Sequence, residues 1–337
     1  MVENIIIWLP DAKKTTHAGY SLARSLYTLP LDILLNGELG SGKTTFLGGF
    51  AEGLGIDEPL TSPTYALEQR YRSHEGTALH HIDLYRLTDT QAAQLLAGTD
   101  DHDGIRCIEW AERVADPPDV HPVIRIALAE GDRDGRTLNV QFADARFPSE
   151  QEIDEWHAYA LLPGHIHKHC RAVADTTQRF AQAVLDRGEI VRPLALKRAA
   201  DIHDLFRFLD FRTGGYPHDD ATPEQQQRWS EVRARYPGLR HEEACTAFLQ
   251  EQGYPVIAEI VRTHGLHEGS PEPKTIEQKI LFYADKRVMM DRVVSLEERF
   301  ADFLRRYSDG KPTPQNTRWL AQTKAVEQEL FPEGAPF

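Results

Sequence analysis

The sequence predicts two domains of different class: an α/β domain built on a mostly parallel sheet, followed by an all-α helical bundle. Three observations predict it. The chain has 337 residues, 41% hydrophobic and 27% charged, which is a globular composition but longer than one hydrophobic core usually covers. Residues 1–147 alternate apolar strand-like runs with helix-compatible stretches, the pattern of an α/β sheet. From residue 161 onward strand signals nearly vanish and a 3.6-residue apolar period takes over.

In order along the first part, Met1–Pro10 carries an apolar burst (Ile5, Ile6, Ile7, Trp8, Leu9) without a basic flank or a small-residue cleavage site. It reads as a first strand, not a signal peptide. Leu31–Gly37 is a short apolar run ending in glycine, the mark of a buried parallel strand. A helix is predicted over Lys43–Leu54. Further strands are predicted at Ala78–Leu84, Ile105–Glu109, Val123–Ala129 and Thr137–Phe142, the last two around the hairpin-type turn Gly131–Gly135. Residues 148–160 are polar, acidic and begin with Pro148, and read as a linker.

In the second part, Val173, Phe180, Val184 and Leu185 form one helix face closed by Gly188. Pro193 can start a helix with Ala199, Ile202, Phe206 and Leu209 on its apolar side. Residues 211–240 read as a Gly/Pro/acid-rich loop leading into a helix. Val256, Ile257, Ile260 and Val261 make another face, as do Ile276, Ile280, Leu281 and Ala284. The helical domain is placed at 161–307, and the tail 308–337, with Pro312, Pro314, Pro332 and Pro336, is expected to hold one helix and then fray.

Composition narrows the functions. The net charge of −14 argues against a protein that coats nucleic acid, because phosphate neutralisation needs clustered Lys and Arg. No apolar run approaches the ~20 residues that cross a bilayer. Three cysteines, Cys107, Cys170 and Cys245, are too few and too far apart for a disulfide framework or a CxxC zinc site, so a cytoplasmic location is expected.

Gly37-Glu38-Leu39-Gly40-Ser41-Gly42-Lys43-Thr44 fits GxxxxGK[ST] at every fixed position, between a predicted strand and a predicted helix. Glycines let such a loop wrap so that successive N–H groups point at phosphate oxygens, and the helix N-terminus adds positive potential. Lys43 reaches the β- and γ-phosphates and Thr44 offers its hydroxyl to Mg²⁺. The plainer alternative is a glycine-rich turn with an incidental lysine. Hydrolysis also needs an acid at a neighbouring strand end, for which Asp83 and Glu109 are the candidates.

The run LLNGELGSGKTTF, then TSPTYAL, HIDLYRL, IEWAER and VIRIAL…GRTL, resembles the TsaE family over about 140 residues. That family is the P-loop ATPase of the bacterial machinery that makes N6-threonylcarbamoyladenosine (t6A) at position 37 of tRNAs. The resemblance implies ATP or ADP with Mg²⁺ as cofactor, held at Glu38, Leu39, Gly40, Ser41, Gly42, Lys43, Thr44 and Thr45. It also implies a switch-like loop at Ser62-Pro63-Thr64, Glu109 joining Thr44 on Mg²⁺, Asp83 essential for hydrolysis and Trp110 beside the nucleotide. The Lys14–Thr16 stretch lies where the family contacts the base. The implied partner is the TsaD–TsaB complex, which ATP turnover resets between cycles. Residues 1–150 carry 13 Lys+Arg against 23 Asp+Glu, a charge of −10, which suits a protein partner better than direct tRNA contact.

The helical part carries His169, His203-Asp204, His241, His264 on a predicted helix, and Asp285. Imidazoles and carboxylates suit Fe, Mn, Zn, Co or Ni, and ligands from several helices can converge in a bundle core. One such histidine alone is more often a hydrogen-bonded core or surface residue. The order H…HD…H…H…D resembles the HD-domain metal-dependent phosphohydrolases over residues 160–300. The resemblance implies a core of His169, His203, Asp204 and Asp285, with His241 and His264 as the extra ligands of two-metal members. Asp204 would bridge the ions, and the substrate would be a nucleotide-type phosphoester or phosphoanhydride. After His-Asp the chain reads Leu-Phe-Arg, which makes Arg207 a candidate phosphate contact. His165, His167, His218 and His267 are assigned to the surroundings or solvent. The favoured reading is therefore a bifunctional protein, an ATPase fused to a phosphohydrolase. A second reading makes the helical part a non-catalytic nucleotide-binding or docking module. A third, a small-molecule kinase, would need an arginine-rich lid, and no such cluster is present.

Overall fold

The computed structural model describes residues 2–114, 120–131, 134–211, 220–308 and 310–337. His218, most of the predicted loop at its start, and Asp132 and Arg133 of the predicted hairpin turn lie outside the described residues. The chain divides into two compact units, Met1–Arg146 with Val184–Arg192, and Phe147–Ala183 with Pro193–Phe337.

The first unit contains β1 (Glu3–Leu9), α1 (Ala12–Ala23), β2 (Leu31–Asn36), α2 (Lys43–Gly53), β3 (Glu68–Arg72), β4 (Ala78–Asp83), α3 (Asp89–Ala97), β5 (Ile105–Glu109), β6 (Val123–Glu130) and β7 (Arg136–Ala143). They build one seven-stranded sheet in the order β1-β7-β6-β2-β5-β4-β3. The central strands β6, β2, β5 and β4 run parallel, whereas β3, β7 and β1 join antiparallel. β2 and β5 are buried on both faces, which is why their sequences are near-continuous apolar runs. β1 lies at an edge and alternates: Ile5, Ile7 and Leu9 face the core while Ile6 and Trp8 are exposed. The apolar burst there is therefore half solvent-facing. Three elements of this unit are not predicted by the sequence pattern: α1, β3 and α3. Each is short or polar, and α1 and α3 are started by side-chain caps, Asp11 on the Lys14 N–H and a Thr88–Gln91 capping box. α1 packs directly on α2, and glycine permits it. A Cβ on Gly19 would collide with the Phe46 carbonyl, and one on Gly49 with the Thr16 carbonyl.

Residues Val184–Arg192 lie in this unit although they come from the second half of the sequence, which corrects the assignment of the whole of 161–307 to one domain. Ile190 and Leu185 join the core beside Leu9 and Leu22, and the Ile190 N–H donates to Ser21 Oγ at 2.7 Å. Arg192 is fully buried and forks onto Asp144 at 2.7 and 3.0 Å, with Glu3 at 3.5 Å. Removing one partner of such a buried group leaves charge uncompensated. Arg192→Ala is expected to destabilise this unit by ~3–5 kcal/mol, read as a loss of thermal stability in the Trp fluorescence of the full chain. A change within error would overturn the reading of Arg192 as a buried ion-pair partner.

The second unit contains α4 (Glu150–Ala160), α5 (Gly164–Asp186) up to Ala183, α6 (Pro193–Ile202), α7 (Pro223–Arg235), α8 (His241–Glu251), α9 (Pro255–Val261), α10 (Ile276–Arg287), α11 (Leu296–Tyr307) and α12 (Pro314–Leu330). A two-residue ribbon, β8 (Val288–Met289) with β9 (Arg292–Val293), is added to this helical unit. The predicted linker 148–160 is instead helix α4, started by a Ser149–Glu152 capping box; its polarity is that of a capped, amphipathic surface helix. α6 stops at Ile202, so Phe206 and Leu209 follow it in a turn and a single 3₁₀ turn. The tail does not fray: Phe331 is buried, and the Phe337 ring stacks on Phe180 at 4.7 Å. Among the described residues no helix is long and apolar enough to cross a membrane.

Candidate functional site

In the first unit β2 delivers the chain into the glycine loop. Gly37, Gly40 and Gly42 take φ of 142°, 82° and 102°, conformations that favour glycine, and Gly42 caps α2. Glu38, Leu39 and Gly40 are exposed at the mouth, and Thr45 lies on the first turn of α2. Ser41 Oγ is buried without a hydrogen-bond partner, the state of a group shaped to meet a phosphate oxygen. Lys43 is buried, donates to the Gly37 and Glu38 carbonyls at 2.7 and 3.0 Å, and lies 3.9 Å from the centre of the Trp110 ring. Burial lowers the Lys43 pKa, and Glu109, Glu112 and Asp83 oppose that shift.

The parallel register brings the two acids together. Asp83 and Glu109 are direct partners at the ends of β4 and β5, and Glu109 is also the partner of Leu35 on β2. Thr44 Oγ1 donates to Glu109 Oε1 at 2.9 Å. Asp83 Oδ2 accepts from Thr64 Oγ1 at 2.6 Å and from Ser62 Oγ at 3.2 Å, so this carboxylate holds the 62–64 loop. Trp110 turns the chain away from β5 in a left-handed conformation, φ 60°, and its ring packs on Tyr85 at 4.8 Å. His81, unassigned in the sequence reading, is fully buried with Nε2 2.9 Å from Glu109 Oε1. Its signal was present, since His-x-Asp puts His81 on the same strand face as Asp83. Lys14 Nζ donates to the Arg187 carbonyl at 2.7 Å, and Thr16 Oγ1 to the Ala12 carbonyl. These groups and these glycines fit a nucleotide triphosphate with Mg²⁺.

In the second unit all six candidate ligands lie together. His169 comes from α5, and His203 and Asp204 from the turn after α6. His241 opens α8, and Asp285 lies on α10. His264 sits three residues beyond the end of α9 rather than on the helix. Three groups of donors each lie within 4.8 Å of one another: His169, His203 and Asp285; His203, Asp204 and His264; His241, Glu242 and His264. His169 Nε2 is 2.9 Å from Asp285 Oδ1, and His241 Nε2 is 3.0 Å from Asp204 Oδ1.

The orientation of the rings tests whether a metal fits. His203 Nδ1 is 2.7 Å from the Ala200 carbonyl, His264 Nδ1 2.6 Å from the Val261 carbonyl, and His169 Nδ1 3.1 Å from the Met290 carbonyl. A carbonyl only accepts, so each Nδ1 carries the hydrogen and each Nε2 turns inward. His203 Nε2 is buried with no hydrogen-bond partner, 3.7 Å from Asp285 Oδ1 and 3.9 Å from Asp204 Oδ2. Burial would raise the Asp285 carboxyl, but Lys286 and the His169 and His203 imidazoles hold it well below the usual carboxylate range. Burial likewise opposes the ionised form of Asp204, which His203 and Arg207 hold well below that range. Inward-facing nitrogens beside ionised carboxylates form a donor set suited to a cation.

Three neighbours were not singled out from sequence. Asp210 Oδ2 lies 2.6 Å from His241 Nδ1, Glu242 is buried beside it, and Lys286 Nζ donates to Asp285 Oδ2 at 2.7 Å and to the His264 carbonyl. Burial would raise the Asp210 pKa, but its hydrogen bond to His241 brings it down to about 2. Glu242 had a signal in its adjacency to His241; Asp210 had none, because a turn brings it back. Arg207 Nη1 lies 3.3 Å from Asp210 Oδ2 and against the His241 ring, 3.1 Å from Nδ1 and 3.3 Å from Nε2. His267 Nε2 is 3.9 Å from Glu242 Oε1, while the His167 ring packs on His157 at 4.7 Å.

A strand–glycine loop–helix cradle, with a hydroxyl and two carboxylates converging from adjacent parallel strand ends, defines the first unit as a P-loop nucleotide-binding domain. The family described as "Threonylcarbamoyl adenosine biosynthesis protein TsaE" matches residues 9–138. A curated relative from Nostoc sp., named "tRNA threonylcarbamoyladenosine biosynthesis protein TsaE", is 38% identical over 140 residues, which is 40% of this chain and 83% of the relative. A protein of the same name from Treponema pallidum is 41% identical over 110 residues, 30% of this chain and 77% of its own length. The solved structure of Bacillus subtilis YdiB is 28% identical, spans 42% of this chain and 88% of its own, and superposes with a TM-score of 0.33. Through its first unit the chain belongs to the TsaE family.

Proposed function

We propose that the first unit is the ATP-hydrolysing component of tRNA t6A synthesis, working on the TsaD–TsaB complex, and that the second is an HD-type, divalent-metal-dependent phosphohydrolase acting on a nucleotide-type phosphoester or phosphoanhydride. For the first activity the supporting observation is the in-register pair Asp83 and Glu109, with Glu109 already on Thr44. The loop N–H groups and Lys43 bind the phosphates, Thr44 and Glu109 hold Mg²⁺, and Asp83 orients the attacking water while its bond to Thr64 links that position to the 62–64 loop. Lys43→Ala is expected to weaken ATP binding by ~1–3 kcal/mol, measured by titration calorimetry. Unchanged affinity would exclude the phosphate-loop reading. Turnover is expected to be slow alone and to rise when TsaD and TsaB are added; a rate indifferent to both would remove the partner assignment.

For the second activity the supporting observation is the fully buried, unpartnered Nε2 of His203 between two carboxylates. A bound divalent ion (Fe, Mn, Zn, Co or Ni) would lower the pKa of a coordinated water and neutralise phosphate oxygens. His169, His203, Asp204 and Asp285 would hold it, and Arg207 stands at the edge to meet a substrate phosphate. The deciding experiment is elemental analysis of protein purified without chelator, with a phosphatase screen over nucleotides, dinucleoside polyphosphates and alarmones. A metal-free protein, inactive with added Mn²⁺, Fe²⁺, Co²⁺ and Mg²⁺, would leave a docking module instead.

A further inference from the structure

We propose that Glu242 is a metal ligand, and that it completes a second ion position formed with His241 and His264, separate from the position of His169, His203 and Asp285. The inference rests on the metal-dependent reading of this unit. It follows from how the three donor groups overlap. The middle group shares His203 with the first and His264 with the third. Each of these two rings has its Nδ1 hydrogen committed to a carbonyl, Ala200 for one and Val261 for the other, so each has a single nitrogen to offer. One lone pair binds one ion. The middle group is therefore incompatible with either neighbour, whereas the two outer groups share no residue and can be filled together.

Asp204 lies between them with an oxygen toward each. Oδ2 is 3.9 Å from His203 Nε2, and Oδ1 is 3.0 Å from His241 Nε2 and 3.8 Å from His264 Nε2. Without Glu242 the second position would have two imidazoles and only this shared carboxylate. With it, each position has two imidazoles, one carboxylate of its own and a share of Asp204, so they match donor for donor.

Two observations single out Glu242. Its Oε2 is buried and has no hydrogen-bond partner. The neighbouring His241 Nδ1, 3.0 Å away, has one hydrogen, and Asp210 lies closer at 2.6 Å to take it. A carboxylate oxygen left without a donor at such depth is costly unless a cation meets it. The second observation is Gly265, where a Cβ would collide with Glu242 Oε1, so the absence of a side chain there is what leaves room for the carboxylate.

The test uses the full chain, stripped with chelator and reloaded with Mn²⁺ in the absence of nucleotide so that the phosphate loop takes none. Wild type is expected to bind two Mn²⁺ per chain by elemental analysis and to show the exchange-coupled spectrum of a pair by electron paramagnetic resonance. Glu242→Gln keeps the shape and removes the charge. It is expected to retain one ion, to lose the coupled spectrum and to weaken the second ion at least ~10-fold. Gly265→Ala pushes the Glu242 carboxylate aside from a different residue and is expected to give the same result; it decides the question where Glu242→Gln does not fold by circular dichroism. Asp285→Ala is expected to lose the other ion. Two ions retained with unchanged affinity in Glu242→Gln or Gly265→Ala would overturn the assignment of Glu242 alone. One ion in wild type, lost in Asp285→Ala and indifferent to Glu242→Gln, would overturn the second position and keep the metal-dependent reading. No ion in wild type would overturn both.

Discussion

Asp204→Ala is expected to abolish the proposed phosphohydrolase activity and to empty the proposed metal centre in the same step. Among the described residues Asp204 is the carboxylate that faces both groups of imidazoles. Its loss removes the donor shared by both groups and leaves His203 beside Asp285 alone and His241 beside Glu242 and Asp210. Metal contributions to charge stabilisation amount to several kcal/mol, and ~4 kcal/mol corresponds to about a 10³-fold fall in rate. The His203→Ala, Asp204→Ala double change should be at least as severe, and Asp285→Ala should lose activity together with the ion of the His169, His203 and Asp285 group. Because ion binding contributes to folding, thermal stability of the helical unit should fall as well. ATP binding at Lys43 should survive, since the phosphate loop is built on a different core. The measurements are metal content, phosphatase rate and ATP affinity on one preparation. Wild-type activity in a metal-depleted variant would overturn the metal dependence of the proposed phosphohydrolase.

Asp83→Ala is expected to lose ATP turnover by ~10²–10⁴-fold, the range for a positioned acid–base group, while ATP affinity changes little. The asymmetry follows from geometry. In the proposed function Lys43 and the loop N–H groups carry ground-state phosphate binding, whereas Asp83 is tied to the Thr64 and Ser62 hydroxyls and to the Tyr85 N–H. Removing Asp83 frees the 62–64 loop and, on the proposed mechanism, the attacking water together. Glu109→Ala should likewise cost turnover more than binding, because Thr44 remains as an Mg²⁺ ligand. Single-turnover hydrolysis beside equilibrium binding separates the two effects. Equal losses in both would make Asp83 a binding residue and remove its role in the transition state.

How far each site could be read in advance depended on the range of the interactions that build it. The phosphate loop is eight consecutive residues whose glycine conformations and helix cap are local, and strand and helix appear around it within one or two residues of the predicted ends. Asp83 and Glu109 were recognisable as strand-end acids, but their pairing depends on β4 and β5 being neighbours in parallel register. The six candidate ligands of the helical unit were recognisable by type and order. The ring tautomers were not, because they depend on the Ala200, Val261 and Met290 carbonyls, and Asp210 reaches His241 only through the turn that follows Phe206.

The sequence by itself determined the two fold classes along the chain, the phosphate loop and the kind of donor gathered in the helical part, because each is written in residue type at short spacing. Only the tertiary structure decided that Val184–Arg192 belong with the first unit, that residues 150–160 are a capped helix and that the chain end packs on Phe180. It alone also brought Glu242 into the reach of His241 and His264. The physical reason is the same in each case. A period of 3.6 says that a helix has an apolar face, and a carboxylate says that charge must be compensated. Neither says which core or which cation will do it, because that partner lies far away in sequence and is chosen by packing.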